Sequence, residues 1–251
     1  MKLYHYTSLD SFSKIWISHS LLFSESKRTN DVFESIKILE LGECRLPYND
    51  EKTGLEVQGH FNKMFWGEVD KYKQISLLHD YKDGIKGYAS PMMWGHYAQK
   101  GKGVCIEIDS EKILFPKDEC IHNKEVEYTT EVPIINLTDG VDLHNKELIK
   151  KYIDEHIDDI FFKKHIHWEH ENEYRMVSNE ALSLDIKDAI TNIYLPYQED
   201  DIDFKIIEKL VDGSNVGLLT IVTYGSPYRK ITAYDSRKLN NILNSNKEES
   251  K

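Results

Sequence analysis

The segment from Trp168 to Arg175 (WEHENEYR) places two carboxylates and a guanidinium at alternate positions. On a β-strand, Glu171, Glu173 and Arg175 would project from one face. Buried ions require partners, and apolar residues flank this group on both sides. The pattern therefore indicates a carboxylate that aligns or activates a hydroxyl group, with Arg175 setting its charge state or holding an anion. The alternative is a ladder of salt bridges on the surface.

A second candidate lies near the amino terminus, in Tyr4-His5-Tyr6-Thr7. On a strand, His5 and Thr7 share one face and the two tyrosines share the other. An imidazole beside a hydroxyl group could hydrogen-bond a diol such as a ribose. The alternative is a half-buried histidine that donates to a backbone carbonyl beside a helix cap.

A third candidate is the aromatic pair Trp94 and Tyr97. Residues three apart share a face of a helix. Two aromatic rings on one face could stack on a flat ring such as nicotinamide or a nucleobase. They could equally belong to the hydrophobic core.

A polar loop at 27–31 (KRTND) precedes a helix predicted over 33–43. Asn30, Asp31 and Glu34 could line a pocket, and they could equally act as caps of that helix.

Four histidines, His156, His165, His167 and His170, raise the question of a metal site, because imidazoles bind zinc. Their spacing matches no closed set of ligands, and no cysteine is near them in the sequence. We therefore expect no metal.

Composition limits the class of protein. The chain has 251 residues, 40% of them hydrophobic, and a formal net charge of −11. Its aromatic content is too high for a disordered chain, and no apolar run approaches the roughly 18 residues of a membrane helix. The acidic balance argues against duplex binding through the phosphate backbone, but not against a small anionic ligand in a local pocket. Three cysteines without CxxC spacing, and a start that resembles no signal peptide, predict a cytoplasmic protein with reduced thiols.

The elements that must position these residues follow from hydrophobic periodicity. The predicted strands lie at 3–6, 21–24, 75–78, 104–109, 173–177, 190–195 and 218–222. The first predicted helix begins after Thr7 or Ser8. Further helices are predicted at 33–43, 61–73, 92–100, 143–164 and 202–210. Their order lacks a regular βαβ rhythm, so we expect the α+β class. We expect one domain over 1–242 and a disordered polar tail over 243–251.

Four segments together resemble a widespread bacterial family that is known only as a domain of unknown function and is often found near mobile or defence genes. They are LYHYTS at the start, Asn30-Asp31-x-x-Glu34, MWGHYAxxGKGVCIEID from Met93, and the segment from Trp168 to Arg175. The resemblance spans about residues 3–177. One departure is LLH at 77–79, where many members have Cys-Phe-Ser.

The His-Tyr-Thr start also resembles the first motif of ADP-ribosyltransferases, including toxins that modify DNA. This resemblance implies a split, strongly bent sheet with flanking helices and NAD as substrate. It gives His5 the role of holding the NAD ribose, and Glu173 and Glu171 the catalytic role. Tyr97, with Trp94 on its helix face, would stack on nicotinamide, and Arg175 would hold Glu173 ionised or contact a phosphate. The other expected NAD-binding residues are Thr7, on the adenosine side, and Asn30.

The reaction that follows from this resemblance breaks the nicotinamide–ribose bond of NAD. ADP-ribose then passes to a nucleic-acid base, a protein side chain or water, the last being NAD glycohydrolase activity. Such an enzyme would suit a toxin or phage-defence effector that a partner protein restrains. Two alternatives are a nucleotide-binding module without turnover, and a metal-dependent nuclease that uses Glu107, Asp109 and the histidines around His167. The main hypothesis requires His5 and the Glu171–Glu173 pair to face each other across one groove.

Overall fold

The computed structural model describes residues 1–25, 59, 63–117, 120–130, 145–196, 202–224, 230–236 and 238–239. Asn30, the predicted helix at 33–43 and the predicted tail at 243–251 lie outside these residues. The chain forms two compact units. Unit 1 comprises Met1–Leu21, Ser76–Phe115 and Ser183–Lys251, and unit 2 comprises Leu22–Ile75 and Pro116–Leu182. The single domain over 1–242 stays a prediction.

Strands and helices follow one another in irregular order, which confirms the α+β class. The strands are β1 (Lys2–Thr7), β2 (Ser20–Leu22), β3 (Ser24–Glu25), β4 (Lys73–His79), β5 (Val104–Asp109), β6 (His122–Glu125), β7 (Glu127–Thr129), β8 (Lys163–His165), β9 (Glu173–Ser178), β10 (Ser183–Asp185), β11 (Ile190–Pro196), β12 (Gly217–Tyr224) and β13 (Lys230–Asp235). The α-helices are α1 (Leu9–Ser18), α2 (Pro91–Tyr97), α3 (Lys146–Glu155), α4 (Ile157–Phe161) and α5 (Ile202–Val211), with a further helical segment at 63–69. None of the described helices is long and apolar enough to cross a membrane.

Unit 1 contains a mixed, open sheet with β1 in its interior. The strand order is β13-β12-β11-β5-β1, and the second half of β4 pairs with the other edge of β1. Strands β11 and β12 run parallel, whereas the other pairs of this sheet run antiparallel. Directly opposite residues share a face. Tyr4 therefore shares a face with Glu107, and His5 shares the other face with Ile106.

Strand β5 is buried on both faces, although its alternation of apolar and polar residues alone would indicate a half-buried strand. The alternating residues Val104, Ile106 and Ile108 are 0% exposed, but so is Cys105, and Glu107 is only 6% exposed. The second face is covered because α2 packs there, in a core cluster with Tyr4, Tyr6 and Tyr194. Alternation alone identifies the strand but cannot show what covers its polar face.

Unit 2 has its own hydrophobic core, in which α3, α4 and the segment at 63–69 pack together. Ile149 and Ile153 of α3 belong to the same cluster as Phe65, and Val177 of β9 joins it. Strand β9 pairs antiparallel with β6, and β7 pairs parallel with β8. The first residues of β4 pair with β3.

The helix predicted over 143–164 is interrupted, because His156 leaves the helical backbone conformation at φ −117° and ψ 22°. Its backbone N–H caps the carbonyls of Tyr152 and Ile153, and its ring stacks on Tyr152 at 4.0 Å. The isoleucines whose helical spacing predicted one helix, Ile149, Ile153, Ile157 and Ile160, therefore lie on two helices, α3 and α4. The helix predicted over 92–100 likewise ends at Tyr97, where a 3₁₀ turn follows.

Gly103 gives a direct test of the packing between β1 and the loop before β5. A Cβ at Gly103 would lie 2.1 Å from the carbonyl oxygen of Thr7 and 3.0 Å from the backbone of Ala98, so backbone would have to move. We expect Gly103→Ala to lower the free energy of unfolding by about 1–3 kcal/mol. The matched control is Gly95→Ala on α2, where nothing lies within 4 Å. It should raise stability by up to about 1 kcal/mol. Equal urea midpoints for the two variants would contradict the close approach.

Candidate functional site

Four charged side chains of unit 2 form a buried ion cluster: Lys164, Glu171, Glu173 and Arg175. Each is 3–6% exposed. Arg175 binds Glu173 through two parallel hydrogen bonds, Nε to Oε1 at 2.7 Å and Nη2 to Oε2 at 2.8 Å. The Lys164 ammonium lies 2.6 Å from Oε2 of Glu171 and 3.6 Å from Oε2 of Glu173. The cluster is therefore not a ladder of salt bridges on the surface.

The backbone brings these residues together from three elements. Glu173 and Arg175 alternate along β9 and so share a face. Glu171 ends a 3₁₀ helix rather than lying on the strand, and Asn172 turns the chain between them with a left-handed φ of 42°. Lys164 lies on β8, which pairs with β7.

Neighbouring groups also form hydrogen bonds and ring contacts with the ion cluster. Arg175 donates through Nη1 to the carbonyl of Phe161 at 2.6 Å, and the Tyr128 hydroxyl accepts the backbone N–H of Glu173 at 2.9 Å. Burial raises the pKa of Tyr128 above its usual value, so its hydroxyl stays neutral. The Lys164 ammonium lies 5.0 Å from the centre of the Trp168 ring, a cation–π contact.

The ion cluster balances two negative charges with two positive ones. Such a group is weak evidence for stability, because desolvation of the ions can exceed their mutual attraction. A carboxylate has about four acceptor sites, two on each oxygen. Each oxygen of Glu173 accepts one hydrogen bond from Arg175. The arrangement thus places two carboxylates within one buried group whose charges balance.

In unit 1, His5 lies in the middle of β1 and is half-buried. Burial lowers the pKa of His5 to about 4, opposed by a hydrogen bond to the backbone of Ser76 on β4. The imidazole is therefore neutral near pH 7. The structure thus contains the hydrogen bond to backbone that the sequence offered as an alternative. Thr7 is 8% exposed and follows on the same face of β1, directly before the capping residue Ser8.

Trp94 and Tyr97 lie on α2 and pack on the other face of β1. The Trp94 ring meets Tyr6 edge-on at 5.0 Å, and its Nε1 donates to the carbonyl of Tyr88 at 2.8 Å. Trp94 is 5% exposed and belongs to the core cluster, whereas Tyr97 is half-buried at its margin. Because His5 alternates with Tyr6, unit 1 does not bring His5 and Trp94 to the same face.

The predicted site residues thus fall into three groups within the part of the chain that the structure describes. Glu171, Glu173 and Arg175 are together in unit 2. His5 and Thr7 share a face of β1 in unit 1. Trp94 and Tyr97 pack on the opposite face of that strand, and Asn30 is outside the described residues. The catalytic and NAD-binding roles of all of these residues stay predictions.

Sequence reasoning missed Lys164, a member of the ion cluster, and Tyr128, which bonds to the backbone of Glu173. Lys164 precedes Glu171 by seven residues, and Tyr128 precedes Glu173 by 45. The one available signal was a pair of lysines, Lys163 and Lys164, that ends the helix predicted over 143–164. The partner of a buried carboxylate cannot be found this way when it comes from another strand.

A second buried carboxylate, Glu107 of β5, lies in unit 1. The hydroxyl of Thr191 donates to its Oε1 at 2.7 Å and the amide of Asn192 donates to the same atom at 3.0 Å. The Tyr194 hydroxyl donates to Oε2, and the Lys2 ammonium lies 3.4 Å from Oε1. These bonds hold β11 against β5 at the register shift between Ile190 and Asn192.

The nuclease alternative needs a set of metal ligands. Over the described residues, no group of three or more His, Cys, Asp or Glu side chains is placed to hold a metal ion. Glu107 and Asp109 belong to unit 1, whereas His167 belongs to unit 2. Cys105 and Cys120 are free thiols.

The comparisons with known proteins agree with the resemblance to a bacterial domain family. Residues 93–176 match the model of a protein family of unknown function, DUF2971. The matched range begins in α2 and ends in β9, so it contains Trp94, Tyr97 and the whole ion cluster. The prediction of a domain of unknown function is confirmed over this range. No curated protein and no solved structure gives a significant match.

Proposed function

We propose that the protein is an NAD-dependent ADP-ribosyltransferase or NAD glycohydrolase. The observation that carries this proposal is the buried ion cluster, in which Glu173 and Glu171 converge on Lys164. A buried cluster of four ions is a poor way to stabilise a fold, which favours a functional reason for the two carboxylates. The resemblance of the His-Tyr-Thr start and the E-x-E segment to ADP-ribosyltransferases supplies the reaction.

In the proposed reaction the bond between nicotinamide and ribose breaks, and positive charge develops on the ribose. Negative charge placed beside that ribose stabilises the transition state. Glu173 takes this role by accepting a hydrogen bond from a ribose hydroxyl. Glu171 polarises the acceptor, which is a nucleic-acid base, a protein side chain or water.

His5 takes its ribose-binding role in the proposal as a neutral group. One ring nitrogen is engaged with the backbone of Ser76, so the other can contact a ribose hydroxyl. Because the imidazole is uncharged near pH 7, it adds no repulsion to the developing positive charge. Thr7 and Asn30 take the adenosine side, and Arg175 orients Glu173. Trp94 and Tyr97 pack on the face of β1 opposite to His5, so we do not assign them to the nicotinamide of this site.

The proposal extends to fold type and biology. The position of β1 between β5 and β4 in an open, mixed sheet supports an ADP-ribosyltransferase fold with a split, bent sheet and flanking helices. We place the enzyme in the cytoplasm, as a toxin or phage-defence effector that a partner protein restrains.

The experiment compares nicotinamide release from NAD by wild type, Glu173→Gln and Glu169→Gln, in cell extract. Wild type should release nicotinamide, and Glu173→Gln should fall below about a tenth of that rate. Glu169→Gln is the matched control, because Glu169 is exposed in the same segment, and it should keep full activity. Chelator should change nothing. Intact NAD with wild type across extract, nucleic acid and protein acceptors would overturn the proposal.

Loss of fold must be separated from loss of catalysis, since Glu173→Gln alters a buried pair. Thermal unfolding of each variant is measured in parallel. His5→Ala in unit 1 tests the same reaction without touching the ion cluster, and it should weaken nicotinamide release at subsaturating NAD. Full activity in both folded variants would show that the residue assignment is wrong.

One observation favours a second function, a nucleotide-binding module without turnover. Both Glu173 oxygens are already engaged by Arg175, at 2.7 and 2.8 Å. A module of this kind would bind NAD, measured by calorimetry, and release no nicotinamide with any acceptor.

A further inference from the structure

We infer that one surface of unit 1, formed by segment 81–102, binds single-stranded nucleic acid. The inference rests on the proposed function in one respect, since it makes nucleic acid the acceptor of ADP-ribose. We call this surface the basic tyrosine surface. Its half-buried tyrosines are Tyr81, Tyr88 and Tyr97, and its exposed lysines are Lys82, Lys86, Lys100 and Lys102.

The charge of this segment is opposite to that of the chain. Segment 81–102 contains four lysines and a single acidic residue, Asp83, whereas the whole chain has a net charge of −11. Lys86 is paired with Asp80 at 2.7 Å, so Lys82, Lys100 and Lys102 supply most of the attraction. A small basic surface on an acidic protein fits a short single strand better than a duplex, whose binding requires many phosphate contacts.

The tyrosines of this surface are fixed in place by the core beneath them. All three pack against the cluster that contains Tyr4, Tyr6 and Trp94. The Tyr88 ring stacks on Tyr194 with centroids 4.3 Å apart and planes 14° apart. Tyr194 is held in turn by its hydrogen bond to Glu107. Rigid aromatic rings beside lysines are the usual means of binding single strands, because bases stack on the rings without sequence preference.

The loop that carries the last two lysines is strained. Gln99, Lys100 and Gly101 have consecutive φ values of 49°, 58° and 83°. Left-handed conformations of non-glycine residues cost free energy, and they persist where surrounding structure enforces them. Here the backbone N–H groups of Gly101 and Gly103 both donate to the carbonyl of Ala98, at 3.0 and 2.8 Å. The fold thus maintains an unfavourable loop at this surface.

The experiment measures fluorescence anisotropy of labelled single strands of about 12 nucleotides, as DNA and as RNA, without NAD. Binding of the duplex of the same sequence, and of polyglutamate, is measured for comparison with the single strands. Neutralising two phosphate contacts with Lys100→Gln/Lys102→Gln should weaken single-strand binding about tenfold and reduce the slope of log affinity against log salt by about 1.4. The control Lys146→Gln/Lys150→Gln makes the same charge change on exposed positions of α3. It should leave the single-strand affinity and the salt slope unchanged.

Stacking is tested separately with Tyr88→Leu, which keeps an apolar side chain in place. It should weaken binding about fivefold or more with the salt slope unchanged. Thermal unfolding establishes that each variant is folded. Absence of single-strand binding, equal weakening by the control pair, or preference for polyglutamate would overturn the inference. Strand binding without nicotinamide release would overturn only the proposed function, and nicotinamide release without strand binding only this inference.

Discussion

Replacing Arg175 by methionine is expected to lower the free energy of unfolding by about 3–5 kcal/mol. Arg175 is 3% exposed and donates to both oxygens of Glu173 and to the carbonyl of Phe161. Without the guanidinium, Glu173 remains buried with Lys164 at 3.6 Å, and Lys164 is already engaged with Glu171 at 2.6 Å. The loss comes mainly from a buried charge with too little compensation, since the net value of an intact buried pair is small.

Urea unfolding at pH 7, followed by circular dichroism, measures this loss. The matched control is Lys150→Met, which removes one partner of the exposed pair Lys150–Glu147 on α3. That change should cost under about 1 kcal/mol. The double variant Arg175→Met/Glu173→Leu should recover part of the stability, because it removes both charges together. If Arg175→Met unfolds at the same urea concentration as the control, the ion cluster does not constrain the fold.

The arrangement of the ion cluster was partly predictable from sequence. Alternation correctly placed Glu173 and Arg175 on one face of a strand, since the period of a strand is two whatever surrounds it. It placed Glu171 on the same strand, whereas the left-handed turn at Asn172 puts Glu171 on a 3₁₀ helix. Lys164 then joins the two carboxylates. That contact depends on the pairing of β7 with β8, which no local pattern encodes.

The strands also show that local sequence patterns do not encode pairing between elements. Strands β5, β11 and β12 were predicted close to their actual bounds, because their apolar residues are dense and largely β-branched. Strand β6 has the sequence HNKE and exists through its pairing with β9, so hydrophobic periodicity could not reveal it. Spacing also predicted that Trp94 and Tyr97 share a helix face. It could not predict that this face covers the side of β1 opposite to His5.

Acid is expected to destabilise the protein through His5, by about 2–3 kcal/mol between pH 7 and pH 4.5. The pKa of His5 is lowered to about 4 in the folded chain by burial, against about 6.5 in the unfolded chain. The unfolded chain therefore binds more protons between these two values. The contribution of His5 to stability is fully present above pH 6.5 and decreases as the pH drops toward 4. Below pH 4 it decreases no further.

The comparison of wild type with His5→Gln isolates this contribution, because carboxylates also titrate in acid. Glutamine can still donate to the backbone of Ser76 but cannot become charged. The wild type should therefore lose about 2–3 kcal/mol more than His5→Gln between pH 7 and pH 4.5, measured by urea unfolding at each pH. His96→Gln, which replaces an exposed imidazole on α2, should behave like wild type. Parallel losses in wild type and His5→Gln would mean that water reaches the imidazole. A pKa near 6.5 would leave roughly a quarter of His5 protonated at pH 7, where the proposed reaction requires it neutral.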